Sequence, residues 1–447
     1  MFKDIYINKG YKEYALELLK NVISYPSVLD EYKENSDAPF GIANKEVLNY
    51  ILNVGKKDGF DTLNSDNYAG HIGFGSGEVF ALLAHLDVVP VTKSEWISDP
   101  FVLTKRDSKF YARGVMDDKG PLIATYIAMK MLKDEGFKPK KNVRLIMGCD
   151  EESGSRCLEH YYKKVGMPRI GFSPDAEFPL INGEKGMCSY DLLVNDNVIS
   201  KFNSGQRYNM VPSYAEMEIN LDLSKEFIKY LNDNNLDGKY ENGIYKVYGL
   251  AAHAMCPEKG INAAYLLFDF LNKYSDSKLA KFVNEYYLFD TRGNKIGYND
   301  FDNEMKDLTS NFAVVKIDNY QGKIGINCRV PKDEDFALIE KCVSAATSKY
   351  GFNFKMLNTS KRHFVPANNL LVETLMNVYK EVSTDMDAKP FSIGGGTYAR
   401  ELECGVAFGP LFPGREDVCH IANEYFYESD FDLAVEVYFR AMYELCK

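Results

Sequence analysis

Acidic and histidine side chains stand where successive predicted strands end. His85 and Asp87 follow the apolar run VFALLA, and their i, i+2 spacing places both side chains on one face of an extended chain. Glu151 and Glu152 follow the next predicted strand, and Asp175 follows the third. In parallel α/β sheets, ligands bind beyond the carboxyl ends of the strands. The pattern therefore predicts a functional site at one edge of a sheet.

A further acidic pair, Asp117 and Asp118, stands just before a predicted helix that opens at Gly120-Pro121. Carboxylates packed together repel one another unless one takes a proton or a cation supplies positive charge. Histidine with Asp and Glu suits a borderline divalent ion such as Zn²⁺ or Mn²⁺, whereas oxygen ligands alone favour Mg²⁺ or Ca²⁺. The cluster therefore predicts a divalent metal site. The alternative is structural, because Asp also favours turns and helix caps.

A second histidine would balance such a site. The chain has six histidines, at positions 71, 85, 160, 253, 363 and 420. His253, in GLAAHAMCPEKG, and His420, in PGREDVCHIANEYF, lie in loop-like segments and are the candidates. His160 lies in a predicted helix, and His71 and His363 lack an acidic or Gly-rich setting, so we expect these three to be structural.

The nine cysteines are scattered and odd in number, and none forms a C-x-x-C pair. This distribution is not typical of a disulfide framework or a zinc finger, and it indicates a reducing cytoplasm. Cys149, Cys157 and Cys419 lie near the acidic motifs. We expect them to pack as small hydrophobic residues rather than act as ligands.

Residues 1–185 alternate helix and strand signals. Apolar residues at helical spacing predict helices over Lys12–Ile23 and Lys45–Val54, and short apolar runs predict buried strands at Val79–Ala84 and Val143–Met147. This rhythm implies right-handed crossovers and a mainly parallel sheet. We expect an α/β catalytic domain, whose second part is residues 363–447.

Residues 186–362 show a different pattern of predicted helices and strands. Helices are predicted over Ala263–Tyr274 and Phe336–Lys349. Alternating stretches predict half-exposed antiparallel strands, at Tyr190–Val194, Ala215–Leu221, Ile244–Val247 and Gly325–Val330. We expect an inserted α+β lid domain that interrupts the catalytic domain.

The overall composition excludes several classes of protein. Of 447 residues, 45% are hydrophobic and 26% charged, and the net charge is −11, which argues against nucleic-acid or anionic-membrane partners. No stretch has the ~20 uncharged apolar residues that a membrane span needs. The N-terminal sequence also lacks the apolar core of about 7–15 residues that a signal peptide carries. We expect a soluble cytoplasmic protein.

Seven motifs between about residue 80 and residue 424 carry a family resemblance. They are AHLDVVP, W-x₂-DPF, YARGVMDDKGP, DEESGS, SPDAEFP, AAHAMCPEKG and GGGTYAR…FGPLFPGREDVCHIANE. In this order they resemble the aminoacylase/carnosinase/desuccinylase superfamily of dinuclear metallopeptidases, and within it the dipeptidase V branch. The resemblance implies two divalent metal ions, Zn²⁺ first, with Mn²⁺ or Co²⁺ as alternatives.

The resemblance also implies which residues bind the metals. His85 and Asp175 would bind one ion, Glu152 and His420 the other, and Asp117 would bridge both. The Asp117–Asp118 peptide bond would be cis.

The catalytic roles implied by the resemblance fall on three residues. Glu151 would be the general base, and His253, supplied by the lid, would stabilise the oxyanion. Asp87 would orient His85 through the second ring nitrogen, with direct ligation or a turn-forming role as the alternatives.

Further residues would grip the ends of the substrate: Asn209, Arg329, Gly395, Gly396, Thr397 and Arg400. Arg329 suits a carboxylate because its guanidinium can bind in a bidentate way. For Asn209, Arg329 and Arg400 an ordinary structural role is the alternative.

The implied function is a dipeptidase that cleaves small peptides with a free amino end. In the family, Asp at the position of Asp175 goes with dipeptidase and aminopeptidase substrates, whereas Glu goes with deacylases and carboxypeptidases. The alternatives are an N-acyl amino-acid amidohydrolase and a metal-loaded peptide-binding protein without turnover. A long lid with its own His253 implies a monomer, and a dimer is the alternative.

Overall fold

The computed structural model describes residues 2–447, except the side chains of Lys3 and Asp4. The chain forms two compact units. The first contains the residues up to Asn182 together with Val365–Phe391 and Gly396–Lys447, and the second contains Gly183–Phe364 and Ser392–Gly395. The sequence-based division assigns residues 183–185, 363–364 and 392–395 to the catalytic part, whereas in the structure they group with the second unit. Lys185 N donates a hydrogen bond of 3.0 Å to Ile393 O, which ties the segment 392–395 to the second unit.

Eleven helices are found in the described residues. Five precede the second unit: α1 (Phe2–Asn8), α2 (Tyr11–Ile23), α3 (Ile42–Lys57), α4 (Lys119–Asp134) and α5 (Arg156–Val165). Four lie in the second unit: α6 (Ser224–Asp233), α7 (Ala263–Tyr274), α8 (Lys278–Tyr286) and α9 (Asp335–Lys349). Two follow it: α10 (Leu370–Ser383) and α11 (Glu428–Cys446). Single 3₁₀ turns occur at Lys93–Glu95, Pro257–Lys259 and Tyr398–Glu401.

The described residues form 24 strands, the longest of which lie in the second unit. The first eight are β1 (Asp61–Ser65), β2 (Ala69–Phe74), β3 (Val79–His85), β4 (Thr104–Arg106), β5 (Lys109–Tyr111), β6 (Asn142–Gly148), β7 (Ile170–Ser173) and β8 (Ala176–Glu177). The boundary strand β9 (Ile181–Glu184) leads to β10 (Gly186–Asn195), β11 (Ile199–Ser204), β12 (Tyr214–Ile219), β13 (Gly238–Glu241), β14 (Ile244–Tyr248), β15 (Phe301–Asp302), β16 (Lys306–Asp307), β17 (Thr309–Asp318), β18 (Gln321–Val330), β19 (Asn353–Ser360) and β20 (His363–Phe364). The last four are β21 (Phe391–Ile393), β22 (Cys404–Ala407), β23 (Pro410–Leu411) and β24 (Tyr425–Tyr427).

The main sheet of the first unit has the order β1-β2-β6-β3-β7-β22. Strands β6, β3, β7 and β22 run parallel, whereas β1 and β2 are antiparallel at one edge. From Phe80 to His85 every residue of β3 is buried, which explains its uninterrupted apolar sequence. Helix α4 packs against β3, α2 and α11, so nearly all of its residues are buried. The expected α/β fold is confirmed. The sheet itself is mixed rather than mainly parallel, with four parallel strands at its centre and antiparallel strands toward its edges.

The second unit is built on an eight-stranded antiparallel sheet of order β13-β14-β12-β11-β17-β18-β10-β19. Burial alternates along β12 and β14, as expected for strands with one exposed face. The expectation of half exposure is wrong for Gly325–Val330, all of which is buried. The polar residues there satisfy one another: Asn327 Nδ2 donates to Ser189 Oγ at 3.0 Å, and Arg329 Nε donates to Asn327 Oδ1 at 3.0 Å. Buried polar groups are tolerated when they are hydrogen-bonded in this way.

None of the helices within residues 2–447 combines the length and the hydrophobicity needed to cross a lipid bilayer.

His71 is buried in β2, as expected for a structural histidine. Its Nδ1 lies 2.6 Å from Tyr161 Oη on α5, and the two rings meet edge to face. Burial, assisted by the charge of Arg144, lowers the pKa of His71 from 6.5 to about 4. The folded state therefore holds this imidazole neutral down to acid pH.

This lowered pKa predicts an acid-sensitive contribution to stability. Between pH 6.5 and pH 4 the unfolded chain binds a proton at His71 that the folded chain refuses, so stability falls as the pH falls through this window. Between pH 7 and pH 4.5 the free energy of unfolding should fall by roughly 2–3 kcal/mol less in a His71→Gln variant than in the parent protein. Urea denaturation of the metal-stripped proteins measures this, because stripping removes any effect of acid release of metal. An identical decline in parent and variant would contradict the assignment.

Candidate metal centre

Three neighbouring parallel strands deliver the acidic groups to one place. His85 is the last residue of β3, and β6 and β7 pair with β3 on either side. Glu151 and Glu152 follow β6, and Asp175 follows β7. Because the carboxyl ends of these strands lie at the same sheet edge, the side chains converge there.

The structure brings five of the predicted residues into two groups that share Asp117. His85 Nε2 lies 2.9 Å from Asp117 Oδ1 and 3.4 Å from Asp175 Oδ2. His420 Nε2 lies 2.9 Å from Asp117 Oδ2 and 3.0 Å from Glu152 Oε1. The two oxygens of Asp117 therefore face different histidines. The Asp117–Asp118 peptide bond is cis, as the resemblance implied.

The carboxylates of both groups favour a positive charge close to them. Burial alone lowers the pKa of His85, but hydrogen bonds to Asp117, Asp175 and Asp87 outweigh it and raise this pKa well above 6.5. Burial likewise opposes protonation of His420, yet Asp117 and Glu152 raise its pKa to about 11. In each group the carboxylates therefore favour the protonated, positively charged form of the histidine. A divalent cation in each group would supply the same positive charge.

The donor atoms also fit such cations. Each group offers one imidazole nitrogen and two carboxylate oxygens, all within 4.8 Å of one another. The N···O separations of 2.9–3.4 Å within the groups are close to the ~3.3 Å between ligands around a tetrahedral ion with bonds of ~2.0 Å. Mixed nitrogen and oxygen donors suit Zn²⁺ or Mn²⁺ better than Ca²⁺.

Asp87 lies beside the second ring nitrogen of His85. His85 Nδ1 lies 2.9 Å from the backbone carbonyl of Asp87 and 3.5 Å from its carboxylate. The carboxylate instead accepts hydrogen bonds of 3.1 Å from the backbone N–H groups of Glu151 and Glu152. Asp87 therefore orients His85 through its main chain and holds the turn that carries both glutamates through its side chain.

Glu151 lies on that turn. Burial, together with the charges of nearby Asp175, Glu152 and Asp117, raises its pKa well above the usual value, while His85 acts in the opposite direction. Burial and Asp117 raise the pKa of Glu152 to about 7, against the opposing effect of His420.

Glu424 is a supporting residue whose role the sequence reasoning missed. It is fully buried. Its Oε1 accepts hydrogen bonds from the backbone N–H groups of Met116 (2.7 Å) and Asp117 (3.2 Å), and its Oε2 accepts from Gly114 N (3.0 Å) and Arg113 Nη1 (2.5 Å). One carboxylate thus joins the segment after His420 to the turn that carries Asp117. The last motif ends at this glutamate, but a single sequence names no partner for it.

Two further carboxylates fix the surrounding backbone. Asp118 Oδ2 accepts a 3.0 Å hydrogen bond from His85 N. Asp150 pairs with Arg156 at 2.6 Å, and its carboxylate also accepts from Arg156 N at 3.1 Å, which closes the turn after β6.

The remaining predicted residues lie partly in the second unit. His253 Nδ1 accepts a 3.2 Å hydrogen bond from Met255 N, and Ala254 N donates 2.9 Å to Asn209 O. Asn209 is exposed. Arg329 is buried, and its Nη1 donates to Gly394 O at 2.9 Å.

The glycine-rich segment is divided between the units, with Gly395 in the second and Gly396, Thr397 and Arg400 in the first. Thr397 Oγ1 caps the following 3₁₀ turn by accepting from Ala399 N at 3.0 Å. A Cβ atom at Gly396 would lie 2.5 Å from Arg400 Nη1, so a larger residue there would displace this guanidinium.

Cys149 and Cys157 are buried and Cys419 is partly buried, and all three are free thiols. Cys157 Sγ lies 3.0 Å from Tyr398 Oη, whose ring meets His85 edge to face. The Arg113 guanidinium lies 5.4 Å from the centre of the Trp96 ring. Trp96 therefore contacts a residue that is hydrogen-bonded to Glu424.

Comparison with known proteins gives consistent results. Residues 81–444 match peptidase family M20/M25/M40. A Staphylococcus epidermidis protein named "Putative dipeptidase" is 40% identical over 460 aligned positions, covering 98% of each chain. Human carnosine dipeptidase 1 has a similar fold, with a TM-score of 0.58 at 14% identity over 100% of this chain and 99% of that one. The dipeptidase Dug1p from Saccharomyces cerevisiae gives 0.57 at 16% identity over 99% and 98%.

The position of Glu424 predicts an effect on metal affinity. In Glu424→Gln the side-chain amide can no longer accept from every N–H group that faces it, so the turn carrying Asp117 should shift. We expect metal affinity to fall about 10–100-fold, as for other groups that orient metal ligands. Competition with a chromogenic chelator measures this, and circular dichroism checks the fold.

Glu416→Gln is the matched control, because Glu416 lies on the same loop and is exposed. It should keep the affinity of the parent protein. Parent-like affinity in Glu424→Gln would contradict the role of Glu424.

Proposed function

The chain belongs to peptidase family M20/M25/M40, and from this premise we propose that it is a dinuclear metal-dependent dipeptidase acting on dipeptides with a free amino end. The observation that carries the proposal is the pair of ligand groups that share Asp117. The 40% identical relative with a dipeptidase name supports the substrate class.

We assign His85 and Asp175 to one ion, Glu152 and His420 to the other, and Asp117 to both. Zn²⁺ is the proposed metal, with Mn²⁺ or Co²⁺ as alternatives. When bound, such ions polarise the scissile carbonyl and acidify the attacking water.

Glu151 is the proposed general base. Asp87 holds its backbone N–H, so the carboxyl group stands on a fixed turn beside the ligands. In this role Glu151 removes a proton from the attacking water and passes it to the leaving amine. A carboxyl group whose pKa is raised is suited to such two-way transfer.

His253 is the proposed donor to the oxyanion. Because the backbone N–H of Met255 can only donate, Nδ1 must be the acceptor, and the neutral ring carries its proton on Nε2. Nε2–H is then the group that donates to the negative charge developing on the scissile carbonyl.

We propose that the ends of the substrate are bound by six residues, whose roles remain predictions: Asn209, Arg329, Gly395, Gly396, Thr397 and Arg400. Arg329 is the proposed partner of the substrate carboxylate. Its guanidinium is already oriented by Asn327 and by the Gly394 carbonyl, which reduces the entropy lost on binding. The monomeric state and the cytoplasmic location also remain predictions.

A substrate panel tests the function and identifies the metal. Chelator-stripped protein should be inactive and should regain hydrolysis of free dipeptides with Zn²⁺, Mn²⁺ or Co²⁺, the most effective ion being the working metal. N-acetyl amino acids and N-blocked dipeptides in the same plate should remain uncut. Cleavage of the N-acyl compounds would instead indicate a deacylase, and absence of turnover with two ions bound would indicate a binding protein.

The base is tested by Glu151→Gln. We expect kcat to fall about 10²–10⁴-fold with unchanged metal content, because the variant loses proton transfer but no ligand. Glu159→Gln, an exposed position on α5, should behave like the parent. A Glu151→Gln enzyme as fast as the parent would refute the assigned base, and loss of a metal ion would make Glu151 a ligand.

A further inference from the structure

Strand β17 of the second unit carries two buried polar side chains that have no part in the proposed reaction. Thr309 and Asn311 are each 1% exposed, and their i, i+2 spacing places both on the same face of the strand. Both side chains donate hydrogen bonds to the backbone of segments outside the sheet. These segments carry the substrate residues that we propose for this unit.

Asn311 holds the segment that carries Asn209. Its Nδ2 donates hydrogen bonds of 3.0 Å to Tyr208 O and 2.9 Å to Met210 O. The two carbonyl groups belong to the neighbours of Asn209 on either side. The backbone at Asn209 is therefore fixed from both directions, although its own side chain is exposed.

Thr309 holds the segment that carries His253. Its Oγ1 donates a hydrogen bond of 3.1 Å to Ala254 O. Ala254 N in turn donates 2.9 Å to Asn209 O, and Met210 pairs with His253 in an antiparallel bridge. The segments of Asn209 and His253 thus lie side by side, and one strand holds both of them.

Arg329 belongs to the same arrangement. It lies directly opposite Thr309 in the pairing of β17 with β18, and cross-strand neighbours project to the same face of a sheet. Arg329 Nη1 donates 2.9 Å to Gly394 O, and a Cβ atom on Gly394 would lie 2.6 Å from Met255 Cβ. Gly394 therefore packs directly on the residue whose N–H donates to His253 Nδ1.

We propose that Thr309 and Asn311 are positioning residues that hold the three substrate groups of this unit at one fixed spacing, and that this spacing selects dipeptides by length. The three groups are those of Asn209, His253 and Arg329. The selection by length rests on the proposed dipeptidase function, whereas the positioning does not.

The geometry of a peptide explains how a fixed spacing selects length. In a dipeptide, a single residue separates the scissile carbonyl, the proposed partner of His253, from the terminal carboxylate, the proposed partner of Arg329. Each further residue moves that carboxylate away by up to about 3.3–3.6 Å. When the two groups cannot move apart by this distance, a tripeptide engages only one of them. The binding energy of its carboxylate then does not serve to position the scissile bond.

Hydrogen exchange of the metal-loaded protein tests the positioning without any substrate. In Thr309→Val and Asn311→Leu, the peptides that contain the N–H groups of Val211 and Ala254 should exchange at least tenfold faster than in the parent protein. These N–H groups join the two held segments, and local opening exposes them to solvent. Thr309→Ser keeps the hydroxyl group and should exchange like the parent. Thr359→Val, an exposed position on β19, is the matched control and should also exchange like the parent.

Hydrolysis of Ala-Ala and Ala-Ala-Ala by the same proteins tests the selection by length. The ratio of kcat/KM for the dipeptide to kcat/KM for the tripeptide should fall at least fivefold in Thr309→Val and Asn311→Leu. The metal content should stay unchanged, because neither variant alters a proposed ligand. Thr309→Ser and Thr359→Val should keep the ratio of the parent.

The outcomes separate the inference from the proposed function. Parent-like exchange in both Thr309→Val and Asn311→Leu, or faster exchange across the whole second unit in both, would overturn the positioning role. A ratio that stays unchanged while the segments exchange faster would overturn the selection by length. A parent protein that cleaves neither peptide would contradict the proposed function instead, and hydrogen exchange would still decide the positioning.

Discussion

The carboxylate of Asp117 is the interaction on which the centre depends. Its two oxygens serve two histidines, one at the end of β3 and one in a distant loop, so two ligand groups are joined through one side chain. Several buried carboxylates in so small a volume would repel one another. The raised pKa values of His85 and His420 show that the surroundings select for positive charge at two separate points.

Such a cluster must also be held from outside, because its carboxylates repel one another. Buried carboxylates do this by accepting main-chain hydrogen bonds. Asp87 holds the turn after β6, Glu424 holds the turn before α4, and Asp118 holds the end of β3. The ligands are thus fixed by backbone donors on rigid elements, which keeps their geometry before any ion binds.

The second unit is organised around hydrogen bonds of a different kind. A backbone donor sets the tautomer of His253, and a backbone acceptor orients the buried Arg329. The main chain of the second unit therefore orients two proposed substrate residues.

The sequence by itself determined the fold class, the helices that carry a clear apolar period, such as α7, and the set of residues that could ligate metal, because strand ends and residue types are local properties. The tertiary structure alone decided how those residues pair. Whether Asp87 would meet His85 with its side chain or its main chain depends on the turn after β6, which lies far along the chain. The role of Glu424 likewise depends on N–H donors more than 300 positions away in the chain. The burial of Asn327 in β18 depends on its contact with Ser189, which is also distant in the sequence. Contacts between distant segments are set by packing, and no local pattern in a single sequence records them.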